Sequence, residues 1–330
     1  MGKPPNRLAA IVLLALLAAS ANARGQERLR LAYSAISGSM LTPWVAAEAG
    51  IFKNNNLAVE LVYIAGGSVT AAALVGGDIH VMLANGDVVV RGRLQGSDMI
   101  SFADATSTLV FSLMARPEIV KAEDLRGKRA GVSRFGTATH AAMLAALEHF
   151  RVPAGEVTIL QMGGIPQIMA GLEKGAIAAG VLSPPINIKA KKLGMRELLD
   201  VGTLKFPYQQ STFVARQEWI KKNPEAMRRL TRSIVEAIHR IKTDKALAQK
   251  ILAKYTGIGE PDVIEEAYRI FALNYLPEIP YPSEAAVRQR LADFASSDER
   301  ARSAAAKDFV DLRWVEELER SGFIAKLYRR

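Results

Sequence analysis

The residues of this chain best suited to chemistry are serines, threonines and glycines in five short clusters. These are Ser37-Gly38-Ser39, Gly66-Gly67-Ser68, Phe135-Gly136-Thr137, Gly163-Gly164 and Ser183. Each leads from an apolar stretch into a helix-like run, so each marks the start of a helix. A helix N-terminus leaves backbone N–H groups without intrahelical partners and carries about half a positive charge, so it receives an anion or a polar ligand oxygen. The chemistry on offer is therefore binding, by hydroxyls and amides with nothing beside them to activate a nucleophile. The competing reading is that Gly and Ser merely cap helices in tight turns. Four clusters at matching places in a repeated framework argue against it.

The signatures of catalysis do not appear. His80, His140, His149 and His239 show no metal-ligand spacing among themselves or with carboxylates. Gly131-Val132-Ser133-Arg134-Phe135 lacks the second glycine of a nucleophile elbow, and Gly127-Lys128 lacks the first glycine of a phosphate loop. No dinucleotide fingerprint is present, and neither a metal nor a cofactor is expected. A second class, an exported enzyme, is disfavoured because these loops offer no His or Cys.

The clusters are positioned by elements that occur twice. Leu31-Ala32-Tyr33-Ser34, a helix-like run, a second apolar run and Gly66-Gly67 return from Arg129 as Ala130-Gly131-Val132-Ser133, a helix, Val157–Met162 and Gly163-Gly164. Ser39 to Gly67 is twenty-eight residues against twenty-seven for Thr137 to Gly164, and Gly67 to Gly77 is ten against eleven for Gly164 to Gly175. Two similar lobes of βαβ type follow, with ligand loops at the C-terminal ends of their strands.

Local signals place helices at Trp44–Ala49 (Thr42 cap, Gly50 stop), Val69–Val75 (Ser68 cap) and Val88–Leu94 (Asp87 cap). In the second lobe they run from Thr137 or Thr139 to Phe150, from Pro166 to Lys174, and from Ser183-Pro184-Pro185 to Gly194. Strands are expected at 57–64, 79–84, 99–103, 109–115 and 211–215, with crossings between the lobes at Arg116-Pro117 and Phe206-Pro207-Tyr208. Lobe one thus comprises 24–115 and 208–330, its later part a helical tail wrapping mainly that lobe, and lobe two comprises 116–207.

Length and composition agree with a globular chain of two domains: 330 residues, 49% hydrophobic and 23% charged. Lys3 and Arg7 precede the apolar run Leu8–Ala19, and Ala21-Asn22-Ala23 supplies small residues for a signal peptidase, so residues 1–23 read as a signal peptide cleaved after Ala23. Twelve apolar residues are too short for a span needing about 20. The absence of Cys removes disulfides, thiolate sites and lipid anchoring through a cleavage-site Cys, which leaves a mature protein free in a periplasm. Net charge is +10, or +8 without Lys3 and Arg7, but the cations alternate with Glu and Asp, as along Glu225–Lys254, so a solvated surface is read rather than a nucleic-acid face.

This arrangement resembles the periplasmic solute-binding proteins of ABC importers, in the type II fold of the nitrate/sulfonate/taurine group and its pyrimidine-precursor relatives. The stretches that carry the resemblance are Trp44–Phe52 with Leu57–Glu60, Gly66–Ser68 with Ala73–Ile79, Asp124–Val132 and Gly175–Leu182. It implies an α/β, two-lobed fold whose lobes close over a small solute by hinge motion at about Ala115–Pro117 and Phe206–Tyr208. It also implies delivery to an ABC permease driven by a separate ATPase, by a monomer. The ligand-contacting positions it carries over are Ser37, Gly38, Ser39, Gly67, Ser68, Asn85, Arg134, Phe135, Thr137, Gly164 and Ser183. Trp44, Phe135 and Tyr208 are candidates for apolar contact, with Trp44 equally readable as a helix residue packed into lobe one.

The type that makes pyrimidine by consuming its own histidine carries a Cys-rich motif, which this chain lacks. Arg134 is the one strong cation in the cleft loops, and beside the helix start at Gly136-Thr137 it suits a carboxylate or sulfonate; the bland reading points it into solvent. Ser183-Pro184-Pro185 stands where sulfonate binders tend to place an aromatic residue, which leaves a neutral heterocycle open, as it does a sensory role.

Overall fold

The structure is a computed structural model and describes residues 27–328; the expected signal peptide lies outside them. Two five-stranded sheets are built on one plan. In the first, β1 (Glu27–Tyr33) runs parallel to β2 (Leu57–Tyr63) and β3 (Val81–Ala84). Beyond β3 lie the strands β10 (Pro207–Arg216), antiparallel, and β4 (Met99–Thr108), giving the order β2-β1-β3-β10-β4. The second sheet repeats this as β7-β6-β8-β5-β9, from β5 (Ser112–Ala115), β6 (Arg129–Val132), β7 (Thr158–Gln161), β8 (Ala179–Leu182) and β9 (Arg196–Asp200). In both, the fourth strand is antiparallel and comes from the far side of a crossing.

The lobe boundary differs from the sequence expectation. Ser112–Ala115, placed above in lobe one, pairs with β8 and β9 of the second sheet. The apolar run Leu109–Ala115 hides the crossing inside it, because Leu109, Val110 and Phe111 are buried between the lobes and carry no turn residue. The crossings are therefore residues 109–111 and 201–206.

Helices follow the strands: α1 (Leu41–Glu48), α2 (Gly67–Gly76), α3 (Gly86–Leu94), α4 (Ala138–His149), α5 (Ile165–Glu173) and α6 (Ile186–Lys192). The duplication is visible in hydrogen bonds as well as order. Ser34 O at the end of β1 accepts from Gly66 N at 2.9 Å, and Ser133 O at the end of β6 accepts from Gly163 N at 2.9 Å. Gly66 (φ 89) and Gly163 (φ 97) both turn the chain from strand to helix in a backbone region that favours glycine.

The tail builds on lobe one. Its longest helix, Pro224–Thr243, starts with Pro at its first position and buries Met227, Leu230, Ile234, Ile238 and Ile241, one face at helical spacing, with α1 packed beside it. Trp44 of α1 is fully buried there, stacked on Tyr255 at 4.6 Å between ring centroids. Replacing Leu230 by Ala should cost about 2–5 kcal/mol in this core. Asp104 fastens the segment that follows: its backbone N–H donates to Pro280 O and its Oδ2 accepts from Ser283 N, both at 2.9 Å. Two ion pairs, Lys189–Glu260 and Lys192–Asp262, reach from α6 to the tail. Among the described residues no helix is long and apolar enough to cross a membrane.

Candidate functional site

The C-terminal edges of the two sheets face each other, and a cavity of about 40 Å³ lies between them. Larger hollows, about 620 and 650 Å³, lie against the tail around Trp314 and Ala305 and contain none of the duplicated loops, so size does not identify the site. From lobe one the cavity is lined by Ser37, Ser39, Gly66, Gly67 and Asn85; from lobe two by Ser133, Thr137, Thr139, Gly164 and Ile165. Phe111 of the first crossing and Gln210 of β10 also line it, and Met40 adds apolar surface.

Four helices of nine or more residues begin at this cavity: α3, which carries the buried Asp87 in its first turn, and α2, α4 and α5. The N-caps of the last three, Gly66, Thr137 and Gly164, make no side-chain capping bond, and none of these helices has an acidic residue in its first turn. The free N–H groups and the positive ends of three helix dipoles therefore meet in one place, where no Asp, Glu, Lys, Arg, His or Cys lines the cavity. Hydroxyls supply the rest. Ser133 Oγ lies 2.8 Å from Thr139 Oγ1 and 3.0 Å from Thr137 Oγ1, while Thr137 donates to Arg134 O at 2.7 Å. Committed in that way, Thr137 is not a helix cap, although it occupies the cap position.

The lobes are bonded to each other beside the cavity. Ser183 Oγ donates to Ser37 Oγ at 2.9 Å, Gly38 N donates to Pro184 O at 3.1 Å, and Asn85 Nδ2 donates to Gly136 O at 3.4 Å. Ser37 Oγ also accepts from Ser39 N and from Ser39 Oγ, at 3.3 and 3.2 Å.

Of the residues singled out in the sequence, Ser37, Ser39, Gly67, Asn85, Thr137 and Gly164 line the cavity, and Ser183 stands directly behind Ser37. Gly38 does not; a side chain there would meet the Phe271 ring at 2.3 Å, so its smallness serves packing. Ser68 is neither cap nor lining: the turn at Gly66 starts α2 one residue before it, and it faces solvent. Asp87 likewise is not a cap but is buried in the first turn of α3, after Asn85. Phe135 is exposed, and Trp44 belongs to the core of lobe one. Tyr208 is fully buried behind Asn85, whose Nδ2 donates to its hydroxyl at 3.4 Å.

Arg134 does not line the cavity either. Its Nε donates across the lobes to Ala65 O at 3.2 Å, and its side chain lies over Gly66, where an added Cβ would stand 2.7 Å from Arg134 Cδ. It bridges the lobes at the rim.

Ser133, Thr139 and Gln210 are lining residues that the sequence reading misses. Ser133 had a signal, its match to Ser34 in the repeat. Gln210 had none, since a polar residue inside a strand pattern carries no local mark of a site.

Behind the site sits a buried carboxyl. Burial pushes Asp87 up to about 6, against the pull of Arg290 and Arg91 and a hydrogen bond with Tyr208. The Tyr208 hydroxyl is in turn held well above its ordinary range by burial and by Asp87. Burial also lowers the His140 imidazole, with Arg91 adding to the effect, and His140 Nδ1 accepts from Gly136 N at 3.3 Å.

Comparison with known proteins agrees with this geometry. Residues 40–245 match the NMT1/THI5-like family. The taurine-binding periplasmic protein of Escherichia coli (strain K12) is 30% identical over 207 residues, which span 57% of this chain and 63% of that protein. A solved structure from Bordetella bronchiseptica RB50 superposes with a TM-score of 0.78 at 21% identity, covering 90% of this chain and 98% of the other. The alkanesulfonate-binding protein SsuA of Xanthomonas axonopodis pv. citri, bound to MOPS, gives 0.73 at 16% identity, covering 88% and 100%. These likenesses establish the shared two-lobed α/β fold.

Proposed function

The chain belongs to the NMT1/THI5-like family, and from that premise we propose that it is an extracytoplasmic solute-binding protein that captures a small organic anion, a sulfonate or carboxylate, between its lobes. The observation that carries this reading is the convergence of three uncapped helix N-termini on a cavity without a carboxylate. The taurine-binding relative and the MOPS-bound structural neighbour both bind sulfonates, which supports the same chemistry here. Capture without conversion fits a lining of hydroxyls, amides and backbone N–H groups.

On this reading the protein is exported by residues 1–23, cleaved after Ala23, works as a periplasmic monomer, and passes its ligand to an ABC permease with its ATPase. Lobe two closes on lobe one about residues 109–111 and 201–206. N-terminal sequencing of the exported protein should begin at Arg24. A neutral heterocycle is the second reading, favoured by the absence of Lys and Arg from the lining together with the apolar surface of Met40, Phe111 and Ile165.

The test is a thermal-shift screen of taurine, methanesulfonate, acetate, nitrate and uracil. A ligand at a hundred times its Kd stabilises by about 2.7 kcal/mol. A shift with sulfonate or carboxylate and none with uracil supports the anion; the reverse supports the heterocycle.

A further inference from the structure

Gln210 stands on β10, just past the return crossing, and its carboxamide touches both the other crossing and the cavity. Its Oε1 accepts from Val110 N at 2.5 Å, and Val110 lies in the first crossing. Two further bonds hold the crossings: Val201 N donates to Phe111 O at 2.8 Å, and Thr108 Oγ1, at the end of β4 just before the first crossing, donates to Phe206 O of the second at 3.4 Å. The two segments that must flex together are thus one bonded unit, and Gln210 is the member of it whose polar side chain lines the cavity.

Because its partner at Val110 is an N–H, the oxygen of the carboxamide must face the hinge, which fixes Nε2 on the other side. Gln210 is 3% exposed, and its Nε2 is the one buried side-chain polar atom of the cavity lining without a hydrogen-bond partner among the described residues. Its neighbour Gln209, on the opposite face of the strand, is satisfied by Asp104 Oδ1 at 2.9 Å. A buried donor left unpaired is costly, so an acceptor belongs beside it.

We infer that Gln210 is the residue through which the ligand acts on the hinge: Nε2 donates to an oxygen of the bound anion while Oε1 holds Val110 and thereby sets the two crossings in the closed arrangement. A ligand can shift an open–closed equilibrium only through contacts it makes in one state and not the other. Gln210 supplies such a contact at the pivot. The inference rests on the proposed function and names a specificity residue within it, one that favours a ligand with an oxygen acceptor on the hinge side.

The experiment uses the full-length protein, Gln210→Met and Gln210→Leu, with taurine as the probe. The chain has no native Cys, so Val75→Cys and Leu144→Cys, exposed positions on α2 and α4, carry one dye each to report the distance between lobes. The parent should close on adding taurine. Both variants should bind it about tenfold or more weakly, and at saturating taurine should stop short of the parent's closed distance. Variant affinity within about threefold of the parent overturns the inference, and so does weakened binding with full closure at saturation, because the hinge role is then absent. If neither taurine nor methanesulfonate nor acetate binds or closes the parent, the anion reading fails and takes this inference with it; if the parent closes and the variants match it, this inference alone fails.

Discussion

Replacing Asp87 by Asn isolates the buried carboxyl behind the site. In the folded protein Asp87 is faced by Arg91 on its own helix, by Arg290 from the helix Glu284–Phe294, by Tyr208 from β10 and by Asn85 beside it, and its Oδ1 has no hydrogen-bond partner. Its pKa stands at about 6 rather than 3.8. Between those values the folded state holds a proton that the unfolded chain has released, so the unfolded state binds fewer protons and stability falls as pH rises. Above about pH 6 the whole penalty is present, and below about pH 4 it has vanished. The separation of the two pKa values corresponds to no more than about 3 kcal/mol. Asn keeps the shape and a neutral polar group but cannot ionise. Denaturant unfolding of parent and Asp87→Asn at pH 4 and pH 7 gives two differences in stability, and subtracting them cancels every other titrating group. The variant should gain on the parent by up to about 3 kcal/mol between pH 4 and pH 7. A difference that does not change with pH, or that changes in favour of the parent, would refute the reasoning.

Ser37→Ala removes the acceptor shared by Ser183 and Ser39; the stranded buried hydroxyls should cost about 1–3 kcal/mol, read as a raised Kd for the ligand and a lowered Tm. Arg134→Ala should cost only about 1 kcal/mol, since a single neutral acceptor across the rim is lost rather than a ligand charge; stopped-flow should show this as faster release, and a loss of many kcal/mol would mean that the guanidinium touches the ligand. Asp104→Ala unpairs Ser283 N and Gln209 Nε2 and should lower stability by about 3 kcal/mol at pH 4 and open the segment near Pro280 to proteolysis; the loss should be smaller at pH 8, where ionising the buried carboxyl already penalises the parent.

What was legible in the sequence is what local chemistry forces. The turns at Gly66 and Gly163 need positive φ, so glycine marks both, and their spacings, matching to within one residue, expose the duplication before any strand is paired. The tail was legible only as helical, and its longest member, Pro224–Thr243 with Pro in its first turn, is delimited by the structure. The misses are places where two environments ask for the same residue type. Leu109–Ala115 is apolar whether it is one strand or a buried crossing followed by a strand, which hid the passage of β5 into the second sheet. Trp44 suits a ligand face and a core equally, and the stack on Tyr255 decides for the core. Ser68 follows two glycines as a cap would, but the turn at Gly66 lets α2 begin before it. Arg134 is legible as the cation of the loops, whereas its path across the rim depends on a backbone carbonyl 69 residues away in the other lobe, which no spacing predicts. Gln210 depends on two crossings meeting, and that too is invisible until the fold is built.

On the proposed function, three helix N-termini between the lobes hold the negative charge of a small ligand. The measurement that meets this most directly is calorimetric titration of the purified protein with an alkanesulfonate and with its neutral sulfonamide, identical but for the charge. The sulfonate should bind at one site per chain with micromolar affinity, about −8 kcal/mol, and the sulfonamide more weakly by the loss of several helix-end interactions of about 0.3–1 kcal/mol each. Equal affinity for the two, or binding of the sulfonamide alone, would contradict the anion reading.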